Sequence, residues 1–323
     1  MTLVLSAADV ERLLTPGVAI ESAERAFRSL ALGDADLAEK VLFEGGDGYA
    51  TSLVYAARAA AGAPVATKLV SVSPDNPARG LPLISATVLL TDPVTGLVQA
   101  MLDGTSLTTL RTAAASALSV VLLARPESAV LAIIGSGVQA RAHVHAIRHA
   151  RELADTRIWS PDAAHREACA ADLGGEARAV ASAAEAIAGA DVIACCTHSA
   201  EPVLHGADVL AGCHVISVGS YLPDRSEVDD ELISRSSVVC VDDRIAAFHH
   251  AGSIMGAVAR GVVEEQDVVS IGEVLVGAVP GRGADDEITF FNSIGLGIQD
   301  ATAGEAVVEQ ARRSGVGLVL PSA

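Results

Sequence analysis

The sequence predicts an α/β protein of two domains: a Rossmann-type, doubly wound parallel sheet and a mixed α+β domain. Three observations predict it. The chain has 323 residues, room for about two domains of ordinary size. Half of the residues are hydrophobic, 19% are charged and 3% are aromatic. A core of Ala, Val, Leu and Ile suits buried parallel strands and excludes a disordered chain. The grammar also changes near residue 105: strand follows strand before it, and strands alternate with helices after it.

Leu3 to Leu5 is a short apolar run, and Ser6 caps a helix in SAADVERLL. A second helix is expected from Pro16 to Leu32, with proline in its first turn. From Lys40 to Gln99, the runs SLVYAA, APVATKLVSV, ISATVLLTD and LVQAML are separated by the turn clusters EGGDG, SPDNPARGLP and DPVTG. Consecutive strands of this kind suggest an antiparallel or mixed sheet. Residues 105–124 form a long Ala-rich helix. Beyond it a strand, a glycine turn and a helix are followed by the strand TRIWS and a helix to Leu173. A strand near Ala177, the helix SAAEAIAGA and the strands DVIACCT, CHVISVG and SVVCVDD complete the alternation. The C-terminal part is expected to hold a helix over EQDVVSIGEVLVGAV, the strand EITFFNS and a last helix from Asp300 to Arg313.

A net charge of −18 makes nucleic acid or an anionic membrane an unfavourable partner. The five cysteines include no CxxC pair, so neither a disulfide framework nor a zinc site is expected. The N-terminus has no basic, signal-like start, and no apolar stretch is expected to reach the roughly 20 residues of a membrane span. A cytoplasmic protein is the expectation. His143, His145 and His149 offer one i,i+4 pair without a third ligand, so they read as solvated helix residues and no metal is expected.

Gly135-Ser136-Gly137-Val138-Gln139-Ala140 follows a strand and opens a helix. Glycines there allow a tight turn and close approach to a pyrophosphate, which binds at the helix N-terminus. The end of the next strand, where the ribose is read, is Ser160-Pro161-Asp162. An acid accepts the ribose hydroxyls of NAD, so Asp162 slightly favours NAD over NADP. Lys68 is one of only two lysines and lies in an otherwise apolar strand. Arg111 lies in the Ala-rich helix with only Ser and Thr for polar company. Two cations in apolar settings either meet an anionic ligand, such as a carboxylate, or pair with surface acids.

The sequence as a whole resembles the ornithine cyclodeaminase/μ-crystallin family. The resemblance rests, in order, on KLV…NP..GLP, DGxSLTxLRTAAAS, IIGSGVQA, ADVI…T, VGSYLPDRSEVD, IGEV…G…GR and ITFFNSIGLGIQD, across about Lys68 to Gly315. It implies NAD(P)-dependent hydride chemistry at an imine or amino acid that carries a carboxylate. It assigns Lys68 and Arg111 as catalytic and carboxylate-binding, with Lys40 and Ile294 also at the substrate. Thr112, Val138 and Gln139 fall at the cofactor phosphates, and Thr197, Ser217, Val218, Arg225 and Ser293 at the nicotinamide half. It also implies a homodimer, and a substrate-binding and dimerisation domain of residues 1–110 with 301–323 around a dinucleotide domain of 111–300. Two positions depart from the family. Tyr221 stands where cyclodeaminases carry a catalytic aspartate, and Lys40 where a family arginine binds the substrate. The first departure favours the ketimine reductase branch over ornithine or lysine cyclodeamination. A non-catalytic NAD(P)-dependent binding protein of μ-crystallin type is the reading from another class.

Overall fold

The computed structural model describes residues 1–46 and 48–321, so Asp47 of the expected EGGDG turn lies outside the described residues. The first stretch of chain holds β1 (Thr2–Leu5), α1 (Ala7–Leu13), α2 (Pro16–Ala31), β2 (Asp36–Leu37), β3 (Val41–Phe43), β4 (Thr51–Arg58), β5 (Ala66–Val72), β6 (Ile84–Thr91), β7 (Val98–Asp103) and α3 (Gly104–Leu123). The second holds β8 (Val130–Ile134), α4 (Val138–Ala150), β9 (Asp155–Trp159), α5 (Ala163–Leu173), β10 (Ala177–Ala179), α6 (Ala183–Ile187), β11 (Val192–Cys195) and β12 (His214–Ser217). It continues through α7 (Asp230–Arg235), β13 (Ser236–Val241), α8 (Arg244–His250), α9 (Gly252–Ala259), β14 (Val268–Ser270), α10 (Ile271–Leu275) and β15 (Ile288–Asn292). The chain ends with α11 (Gly297–Ser314) and β16 (Leu318–Leu320).

These elements form two units, residues 1–111 with 296–323 and residues 112–295. The sequence reading sets the boundaries at 110/111 and 300/301. The return falls earlier because α11 starts at Gly297 and stays in one unit, which carries Gln299 and Asp300 with it. Residues 322 and 323 of the expected first domain lie outside the described residues.

In the first unit, β4 to β7 run antiparallel in sequence order, β1 joins β7 in parallel, and β16 closes the edge against β1. The turn DPVTG makes the β6–β7 hairpin because the Asp92 carboxylate accepts the backbone N–H groups of Val94 and Thr95. One sheet face packs on α11. Period-two alternation sends Ala66, Lys68 and Val70 of β5 to the buried side and leaves Leu69 half exposed on the other.

In the second unit every strand pair is parallel, in the order β10-β9-β8-β11-β12-β15-β13-β14. The chain enters at β8, fills the sheet outward through β9 and β10, then returns to the other side of β8 with β11. That reversal puts the switch point at the carboxyl end of β8, where ligands of open α/β sheets bind.

Three expectations are corrected. The helix expected over 265–279 is a short 3-10 turn, strand β14 and helix α10. Val268 and Val269 pair with β13, and Ser270 then starts a new helix through a capping box with Glu273. His143 is not solvated: it is fully buried and bonds the Ser116 side chain at 2.8 Å. The Gln139 carbonyl, 2.7 Å from Nδ1, can only accept, so Nδ1 carries the proton and Nε2 accepts from Ser116. Helix α3, finally, is long and apolar enough by composition to cross a membrane, although no such stretch is expected from the sequence. Its apolar surface serves the core instead, with 67% of that window buried.

Candidate active site

The first unit brings Lys68, Arg111 and Asp300 together in its interior. Lys68 projects from the middle of β5, Arg111 from α3, and Asp300 from the first turn of α11. Lys68 Nζ lies 2.7 Å from Asp300 Oδ2, and Arg111 Nε lies 3.1 Å from Asp300 Oδ1. Each oxygen of one carboxylate thus holds one cation. The Arg111 fork also donates to Gln299 Oε1 at 3.3 Å, and Lys68 Nζ to the Thr108 hydroxyl at 3.4 Å. The Tyr55 ring, directly across the β4–β5 ladder, lies 4.6 Å from Nζ and adds a cation–π contact. Burial pulls the Lys68 pKa down to about 8, the Arg111 charge pulls the same way, and the Asp300 carboxylate opposes both. The expected alternatives were an anionic ligand or surface acids; the partner found is an acid, and it is buried. Lys, Arg and Asp here sum to one uncompensated positive charge. Gln299 Nε2, also buried, has no partner among the described residues.

Asp300 and Gln299 were not singled out by sequence reasoning. The available signal was the QD pair in GLGIQD, an acid in the first turn of a helix that continues with the small residues Ala301 to Gly304.

The second unit carries the glycine turn at the end of β8. Gly135 has φ +125, and a Cβ there would run into the Cys196 carbonyl, so only glycine fits. Gly137 is the N-cap of α4, no side chain caps that helix end, and its first turn holds no acid. Val138 is 67% exposed beside it. Open backbone N–H groups at a helix N-terminus, with no competing carboxylate, fit a pyrophosphate. Ser136 and Ser160 share a 2.9 Å hydroxyl contact, so the end of β9 lies beside the turn. Asp162 is the N-cap of α5 and accepts the His165 N–H at 2.9 Å. Thr112 is buried in α3.

Further along the same row of strand ends, two buried carboxylates organise the loops. Glu227 accepts from both the N–H and the hydroxyl of Thr197, and from the Ser217 hydroxyl and the N–H groups of Val218 and Gly219. Burial raises its pKa, and these donors oppose the rise. Asp242 Oδ2 accepts from the Ser293 hydroxyl and from the N–H groups of Ile294 (2.7 Å) and Gly295 (2.6 Å). The expected cofactor and substrate residues Thr197, Ser217, Val218, Ser293 and Ile294 therefore all hang on two acids that sequence reasoning passed over. Arg225 donates to the His198 carbonyl in the loop after β11. Lys40 is half-buried one residue before β3 and, among the described residues, is not a partner of Lys68, Arg111 or Asp300. Tyr221 is half-buried in the loop after β12, and burial raises its pKa.

A doubly wound parallel sheet with an open glycine turn in the second unit defines a dinucleotide-binding fold, and the first unit carries a buried cation pair on one carboxylate. The family model of the ornithine cyclodeaminase/mu-crystallin family matches residues 1–315, and the chain belongs to that family. The chain is 37% identical over 243 residues to the ketimine reductase mu-crystallin of Mus musculus, covering 75% of each chain. The Delta(1)-pyrroline-2-carboxylate reductase of Thermococcus litoralis, solved with NADH and L-proline, is 33% identical, with a TM-score of 0.93 over 98% of this chain and 100% of that one. An archaeal alanine dehydrogenase dimer with bound NAD is 34% identical, with a TM-score of 0.92 over 99% of both chains. NAD(P) is the cofactor of this group, and the glycine turn fits it.

Proposed function

We propose that the protein reduces an imine next to a carboxylate, using NAD(P)H, and yields an amino acid. The observation that carries this reading is the buried Lys68–Asp300–Arg111 cluster with its one unbalanced positive charge. A buried charge is costly until it is paired, so the cluster favours a ligand with one negative charge. A substrate carboxylate would meet the Lys68 ammonium and the guanidinium fork of Arg111, which suits a planar anion. Gln299 Nε2 is a further donor in the same shell. Both cations also draw electron density from the adjacent C=N carbon, the atom that must accept hydride. The bound dihydronicotinamide supplies that hydride, and one proton adds to nitrogen. With a pKa of about 8, Lys68 carries its proton at neutral pH and keeps its charge. The pyrroline-2-carboxylate reductase and the ketimine reductase among the relatives support this reading, and Tyr221 in place of the family acid disfavours cyclodeamination.

The test is oxidation of NADH and NADPH by purified protein with cyclic ketimines bearing a carboxylate, and with 2-oxo acids plus ammonia or methylamine. Consumption with an imine is the expected result. Ammonia release from L-ornithine without cofactor consumption would replace the reading with cyclodeamination. Tight cofactor binding without any turnover would leave a binding protein.

The same proposal includes a homodimer through the open face of the first unit's sheet. Val41, Val54, Leu69 and Thr87 stand in register across β3 to β6 on that face. Val41 is 49% and Leu69 51% exposed, an apolar row that a second copy would cover. Light scattering should give a dimer mass, and Leu69→Asp should give a monomer. We infer a cytosolic setting as well, which five free cysteine thiols support; cell fractionation tests it.

A further inference from the structure

Glu227 is a buried ion held without a counter-ion. Its relative exposure is 0%, and among the described residues no Lys, Arg or His pairs with it. Oε1 accepts the Thr197 N–H at 2.6 Å and the Thr197 hydroxyl at 2.8 Å. Oε2 accepts the Ser217 hydroxyl at 2.8 Å, the Val218 N–H at 2.9 Å and the Gly219 N–H at 2.6 Å. Three of the five donors are backbone N–H groups, which cannot reverse and accept. They engage both oxygens, so the group they select is the carboxylate. Its own backbone is fixed too: the Ser220 hydroxyl accepts the Glu227 N–H at 2.9 Å, and the Glu227 carbonyl accepts from Val203 and Leu204.

One side chain therefore fastens the loop after β11 to the loop after β12. A charge held by dipoles rather than by a cation is reduced by its donors but not neutralised, and the buried medium screens what remains only weakly. The nicotinamide ring is cationic when oxidised and neutral when reduced. The family resemblance assigns the nicotinamide half to Thr197, Ser217 and Val218, which this carboxylate holds, and a fixed anion beside a ring bound there stabilises the first form more than the second.

We propose that Glu227 is a positioning residue for the nicotinamide-binding loops and the fixed charge that biases the site toward the oxidised cofactor. The proposal rests on the cofactor reading above. It gives this carboxylate a part in hydride transfer without contact with the reacting atoms, because the field favours the cation left on the ring. Asp242 holds the loop after β15 in a similar way and is the neighbouring charge against which the effect is compared.

The experiment is calorimetric titration of the full chain with NAD+, NADH, NADP+ and NADPH, in the wild type, Glu227→Gln and Glu227→Asp. In Glu227→Gln the ratio of oxidised to reduced Kd should rise by at least about threefold, the scale expected for one weakly screened charge several ångströms away. In Glu227→Asp the charge stays but reaches less far, so both Kd values should weaken while their ratio holds. An unchanged ratio in Glu227→Gln overturns the electrostatic role, and unchanged Kd values in Glu227→Asp overturn the positioning role. A wild type that binds none of the four cofactors brings down the functional reading and this proposal together. Should the variants not fold, amide exchange in the cofactor-free wild type decides. Protection of Thr197, Val218 and Gly219 like that of β12 supports the clamp, and exchange at open-loop rates overturns it.

Discussion

Asp300 in the first unit and Glu227 in the second are both buried carboxylates, and they are satisfied in opposite ways. Asp300 meets two full positive charges, one on each oxygen. Glu227 meets five neutral donors, three of them backbone N–H groups. The partners of Asp300 are long side chains that can turn toward a second carboxylate, as the proposed function asks of them. The donors of Glu227 belong to the loops themselves, so releasing it would mean rebuilding the strand ends. A mobile counter-ion suits a centre that must take substrate in and let product go. A fixed one suits a frame that must hold its shape through the cycle.

The largest expected effect comes from removing a cation on the Asp300 side. Lys68→Ala should lower kcat/KM by about a thousandfold, or about 4 kcal/mol in the barrier. Cofactor affinity should hardly change, which energy transfer from the single tryptophan, Trp159, to bound NADH can report. Equal turnover in that variant would end the role assigned to Lys68.

Asp300→Asn should cost less, roughly a hundredfold, because both cations remain. Its sharper signature is in the pH profile. Asp300 raises the Lys68 pKa against burial and Arg111, which together bring it to about 8. The charged ammonium is the form present below that pKa, so activity should fall as pH rises through about 8. Without Asp300 that limb should move to lower pH. A limb that stays in place would show that another group titrates.

The contrast must be measured above the pH at which the second unit's buried histidines begin to oppose folding. Burial holds His143 at about 4 and His214 at about 3, below their ordinary 6.5. As pH falls below 6.5 the unfolded chain takes up these protons first, so stability falls until the folded values are reached. Each histidine contributes a loss of about 1.4 kcal/mol per pH unit across that window. Urea denaturation at pH 7 and pH 5 measures the slope, and His143→Gln should remove about half of this histidine contribution.

Ser217→Ala gives the smallest effect. It removes one of the five donors to Glu227 and leaves the charge, so both cofactor affinities should fall by about two- to tenfold, the scale of one hydrogen bond. The oxidised-to-reduced ratio should stay as in the wild type; a changed ratio would mean that the clamp and the charge cannot be separated.

The parts of this site legible in the sequence are those written in adjacent residues. The GSGVQA turn between a strand and a helix announces its own backbone geometry, because only glycine serves at Gly135. Lys68 and Arg111 were visible as cations in apolar surroundings. Their shared partner was not, because Asp300 is 189 residues beyond Arg111 and lies on the helix that returns to the first unit. The histidine misreading has a local cause. His143 lies in the same helical stripe as Ala140, Val144 and Ile147, all buried, and a stripe reading would have placed it inside. The helix expected over 265–279 failed for the opposite reason: Val268 and Val269 fit either period, and pairing with β13 decided between them.

The sequence by itself determined the two grammars of the chain, the glycine turn, the family and the two cations, since each depends on composition or on residues a few positions apart. Only the tertiary structure decided which acids complete the sites. Asp300 reaches Lys68 because α11 packs on the sheet that carries it, and Glu227 reaches Thr197 and Val218 because the strand ends of a parallel sheet lie side by side. A buried charge is tolerable only where distant segments supply its partners, and the linear order of residues does not contain that distance.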